Sequence, residues 1–103
     1  MIYNKLVRDN IPAIIEADNK VAVTRTLAGA EFEEELRRKL LEVAAAAAAE
    51  NDPTELADVL EVVYALAKLH NLSPEELETI RALKADKRGG FSDKIYLIET
   101  KEA

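Results

Sequence analysis

LLEVAAAAAAEND, residues 40–52, followed by TELADVLEVVYAL, residues 54–66, decides how this chain is read. Six alanines run from Ala44 to Ala49. Alanine is the best helix former, so the run extends a helix and is no linker. Asp52, Pro53 and Glu55 then stand at the spacing of an N-cap, an N1 proline and an N3 glutamate. Two helices joined by so short a link are antiparallel neighbours.

On a wheel at about 100° per residue, the second of these helices has one apolar stripe of Leu56, Leu60, Val63 and Ala67, widened by Val59 and Leu66. Another stripe runs Glu55, Asp58, Val62, Ala65, Leu69. A helix apolar over most of its circumference is expected to lie among others. Ala57, Glu61, Tyr64 and Lys68 remain for a wetter side. The first helix, from about Gly29 to Glu50, is roughly 30 Å long. Its stripe is Phe32, Leu36, Leu40, Val43 and Ala47.

Outward from this pair, SPEE at residues 73–76 starts a third helix with Ser73 as cap, Pro74 at N1 and Glu76 at N3. That helix ends before the glycines of KRGGF, residues 87–91. Asp9 or Asn10 is expected to cap a short helix with the body IPAIIEA. The β-branched VAVTRTL, residues 21–27, and the alternating KIYLIE, residues 94–99, read as two short strands. They would pair with each other or across a subunit boundary.

The chain has 103 residues, enough for one domain with a small core. It lacks cysteine, which excludes disulfides and thiolate metal sites. Its net charge of −6 argues against a nucleic-acid polymer as partner. No apolar run approaches a membrane span, and MIYNKLVRDN has no signal-peptide core. The expectation is a cytoplasmic protein.

Glu55 and Asp58 open a stripe that is otherwise apolar. Carboxylates one helical turn apart point the same way, as a chelating pair must. Oxygen-only ligands suit Mg²⁺ or Mn²⁺. The competing reading is structural: Glu55 as part of a cap, and Asp58 paired with a Lys or Arg.

Three segments together, YNKLVRDNIPAII, KLLE…ELADVLEVVYALA and KRGGF, resemble the MazG-like nucleoside triphosphate pyrophosphohydrolases, in the small phosphoribosyl-ATP pyrophosphohydrolase-like branch. The resemblance covers nearly the whole chain. It implies a single all-α domain over residues 1–103, a helical bundle with antiparallel core helices. It implies Mg²⁺-dependent hydrolysis of a nucleoside triphosphate to monophosphate and pyrophosphate, of a house-cleaning kind. Matching residue by residue, Glu42, Glu55 and Asp58 become the metal and catalytic carboxylates. Glu35 or Glu50 would assist.

This sequence departs from the family where two further glutamates are expected: Val43 and Ala46 stand there. Asn10 and Ala13 also replace the branch's usual Lys and Glu. The alternatives are therefore a family member that binds nucleotide without turning it over, and a purely structural or partner-binding helical module.

Lys5 and Arg8 are candidates for the phosphate side of such a site; an Arg8–Asp9 ion pair is the structural alternative. Lys87 and Arg88 before two glycines suit phosphate binding, or equally a helix C-terminus. Arg25 reads as a solvated or interface residue, and Tyr64 as packing or interface. His70 reads as a cation at a helix end. The small core and the apolar second helix lead one to expect a homodimer or tetramer.

Overall fold

The computed structural model describes residues 1–102. It is built of α1 (Ile11–Ala17), α2 (Gly29–Ala49), α3 (Thr54–Leu69) and α4 (Pro74–Arg88). α2 and α3 are the expected antiparallel pair, joined by residues 50–53. α4 touches only α3, and α1 packs on no other helix.

Local chemistry explains the helix ends. Ser73 and Glu76 form the complete capping box at the start of α4. The Glu76 amide donates to Ser73 Oγ over 3.1 Å, and the Ser73 amide donates to Glu76 Oε1 over 3.1 Å. α3 ends in a Schellman turn: Asn71 takes φ of 59°, its amide donates to the Lys68 carbonyl, and the Leu72 amide donates to the Ala67 carbonyl. Gly89, at φ of 81°, closes α4.

The start of α3 meets the sequence expectation in part. The helix begins at Thr54, and Glu55 makes no return bond to a cap. Asp52 instead folds its carboxylate onto the Thr54 amide (3.0 Å) and hydroxyl (2.8 Å). These bonds, the backbone one foremost, hold the Asp52 carboxyl below its ordinary value. Asp52 thus supplies the accepting half of the cap to the Thr54 amide, with Pro53 helical in backbone behind it, and only the return bond from Glu55 is missing. At α1 the Asn10 side chain makes no capping bond; only its carbonyl accepts, from Ile14.

The core is small. Leu36 and Val43 of α2 and Val62 of α3 are buried together, with Leu6, Phe32, Leu40, Val59, Ala65 and Leu66 packed around them. The stripe of α3 that begins with Glu55 and Asp58 therefore turns toward α2. The other stripe is covered only toward its C-terminal half: Ala67 is buried and Val63 half-buried, while Leu56 and Leu60 are exposed. An all-round buried α3 is corrected to a helix with one open apolar edge. The exposed face of α2 carries the i,i+4 pairs Glu33–Arg37 and Glu34–Arg38.

The two expected strands do not form among the described residues. Residues 21–27 and 94–99 have no regular structure, and no backbone hydrogen bond pairs one with the other. A strand exists only with a partner, and neither segment meets one within the chain. No helix of the described residues is long and apolar enough to cross a membrane.

Candidate functional site

The N-terminal segment lies across the α2–α3 pair and brings the candidate residues together. Leu6 anchors it by packing on the Leu36–Val43–Val62 core. On one side of that anchor, Lys5 Nζ lies 3.5 Å from Glu42 Oε1 on α2. On the other, Arg8 Nη2 donates to Asp58 Oδ1 on α3 over 2.6 Å. The Lys5 ammonium also sits 5.8 Å from the centre of the Tyr3 ring. Arg8 thus pairs with Asp58, correcting the Arg8–Asp9 alternative: the chain places Arg8 over α3.

Glu42 has a second cation. Lys39, one turn back on α2, holds both its oxygens at 3.3 Å. Glu55 has none. Its partial burial, and the negative charges of Glu50 and Asp58, push its carboxyl above the ordinary glutamate value. Three acidic side chains thus feel one another at the α2–α3 turn, and among the described residues only Asp58 has a cation partner there.

The donor set fits a divalent cation in a limited way. Mg²⁺ commonly takes one or two protein carboxylates and completes its shell with water and phosphate oxygens. Glu55 and Asp58 answer to that minimum. Among the described residues, no three His, Cys, Asp or Glu side chains come together as a metal cluster. Glu42 is engaged by Lys5 and Lys39 and does not make a third.

The two departures from the family pattern have different places. Val43 is 9% exposed and belongs to the core, so packing claims that position. Ala46 is only half-buried, one turn beyond Glu42.

Lys87 and Arg88 stand apart from this group. They lie in the last turn of α4, where their charge complements the helix dipole. Arg88 lines a surface hollow with Gly89, Gly90, Phe91, Ser92 and Asp93. Arg25 forks onto Glu31 in the first turn of α2, at 3.0 and 2.7 Å, which holds Glu31 below its ordinary value. The role of Leu6 as anchor escaped the sequence reading. Its only signal is an apolar residue between two basic ones.

Comparison with protein-family models, curated proteins and solved structures gives no match for this chain.

Proposed function

We propose that this chain is a Mg²⁺- or Mn²⁺-dependent nucleoside triphosphate pyrophosphohydrolase that cleaves the α–β anhydride with water. The observation that carries the reading is the Glu55–Asp58 pair with Arg8 against it. Burial first, then the charges of Glu50 and Asp58, raise the Glu55 carboxyl, and a divalent cation would offset both the burial and the like charge. Glu55 and Asp58 would hold the cation. The chemistry it supplies when bound is neutralisation of phosphate oxygens and polarisation of the attacking water.

Arg8 and Lys5 have a second task in this reading. Both pairs they make are solvent-exposed and cheap to break. An arriving triphosphate offers each a stronger acceptor: a fork for Arg8 and a point-charge contact for Lys5. The motif resemblance of the N-terminal segment, the Glu55–Asp58 turn and KRGGF adds the substrate class. Lys87 and Arg88 would join only if the α4 end approached the α2–α3 turn.

A second reading is a family member that binds nucleotide, or a protein partner, without turnover. The absence of a three-carboxylate cluster among the described residues favours it.

Incubation with Mg²⁺ or Mn²⁺ and a panel of canonical and modified NTPs and dNTPs separates the two. The lead reading expects monophosphate and pyrophosphate in equal amounts, lost in Glu55→Gln and Asp58→Asn while the helical signal persists and both variants stay folded at the assay temperature. Saturable nucleotide binding by calorimetry without product establishes the second. Neither product nor binding defeats both.

A further inference from the structure

We propose that residues 94–99 pair as a β-strand with residues 21–27 of a second copy of this chain, reciprocally across a two-fold axis. The inference is independent of the chemistry assigned above.

Both segments carry strand sequence without strand structure. In KIYLIE, Ile95 and Leu97 alternate with Tyr96 and Ile98, so both faces are apolar. Such a strand needs cover on each side. These four side chains are between 75% and 89% exposed. In VAVTRTL, Val21 and Val23 are 87% and 93% exposed. Neither segment uses its backbone amides in a ladder. Unpaired edges of this composition are templates for another chain.

The surface of the protomer says how much cover is missing. A compact chain of 11.4 kDa would expose about 5,800 Å²; this one exposes 9,435 Å². Its radius of gyration is 18.3 Å, against about 13 Å for a compact chain of this length. The excess, about 3,600 Å² by that scaling, exceeds the roughly 1,000–2,500 Å² that each partner gives to an obligate homodimer.

The fold also says why the complement comes from a copy. Residues 21–27 lead into the N-terminus of α2, beside the C-terminus of α3 in this antiparallel pair. α4 starts from that same end. Its 15 residues span about 22 Å before the chain reaches residues 94–99. Within one chain the length of α4 and residues 89–93 separate the two segments, and no backbone hydrogen bond joins them. A two-fold partner presents each segment with the other's complement, and the segments are close in length, seven and six residues. Leu56 and Leu60 on α3 and Leu83 on α4 are further exposed apolar side chains that the same partner would cover.

The lack of native cysteine makes the test clean. Val23→Cys and Leu97→Cys, both at exposed positions, are placed in separate chains, refolded together and oxidised. The expected result is a covalent product of twice 11.4 kDa that joins one variant to the other. In sedimentation, the unmodified chain should run at an even multiple of its mass. Tyr96→Pro should raise its dissociation constant at least tenfold with helical circular dichroism unchanged. The proposal is overturned by a monomer at all micromolar concentrations. It is equally overturned by an oligomer indifferent to Tyr96→Pro, by the lack of any cross-link between the Val23→Cys and Leu97→Cys chains, or by Leu97→Cys joining to itself in preference to Val23→Cys.

Discussion

Arg8 and Asp58, fifty positions apart in sequence, meet through a charge-assisted hydrogen bond of 2.6 Å. The bond ties the N-terminal segment to α3, while Lys5 ties the same segment to Glu42 of α2. A stretch with no regular structure thereby spans the two core helices at the place where the candidate carboxylates lie.

Removing that tie has a predictable, small structural cost. The side chains of Arg8 and Asp58 are 53% and 43% exposed. Arg8→Ala should cost no more than about 1 kcal/mol of stability, less at high salt. If Arg8 receives triphosphate, the same substitution should raise KM well before it lowers Tm. Thermal melts and steady-state kinetics on one preparation check both.

Val43 and Ala46 should respond oppositely to a restored glutamate. Val43→Glu drives a carboxylate into the Leu36–Val62 cluster, where the nearest α2 cation, Lys39, is already held by Glu42, and should destabilise by roughly 3–5 kcal/mol. Ala46 is half-buried. Ala46→Glu should cost under about 1 kcal/mol, mainly through like-charge repulsion with Glu42 one turn away. It also adds a carboxylate, so Mg²⁺ affinity should rise by about tenfold or more. Isothermal titration with Mg²⁺ and denaturant melts of both variants decide the matter. A neutral Val43→Glu would mean that the core is looser than its burial implies.

The capping box of α4 gives a control far from the site. Ser73→Ala leaves the Glu76 amide without its acceptor. The loss should be about 1 kcal/mol, or a fall in Tm of about 4–8 °C. Ser73→Asn should recover most of it. Activity and Mg²⁺ binding should not move, because α4 touches only α3.

Much of this was legible in residues with strong local preferences. Ser73, Pro74 and Glu76 announce a helix start whatever surrounds them. Asn71 fits the left-handed turn that ends α3. The α2–α3 pair follows from apolar spacing and a short link. Tertiary choices were not legible. Both stripes of α3 are apolar enough to face α2, and only packing selects the one led by Glu55 and Asp58. Residues 21–27 and 94–99 have the composition of strands, yet a strand is a relation between two segments. The site was half legible: Glu55 and Asp58 announce themselves by spacing, while the seating of Lys5 and Arg8 depends on how Leu6 docks.

Glu55 sets a pH dependence whose sign is fixed by the direction of its shift. Its carboxyl titrates above the ordinary glutamate value in the folded chain, through partial burial and the charges of Glu50 and Asp58. The folded state then holds this proton more tightly than the unfolded state does. Its stabilising contribution is full below the unfolded glutamate value and is lost as pH rises through the folded one. At neutral pH, without divalent cation, Glu55→Gln should therefore raise Tm over the native chain. The gap should shrink as pH falls toward about 4. Adding Mg²⁺ should reverse the order, because a cation held by Glu55 and Asp58 stabilises only the protein that keeps both. Melts of the two proteins at pH 7 and pH 4, with and without Mg²⁺, read this directly. If Mg²⁺ raises both melting temperatures equally, Glu55 is no ligand, and its raised carboxyl is only the consequence of crowded charge at a helix start.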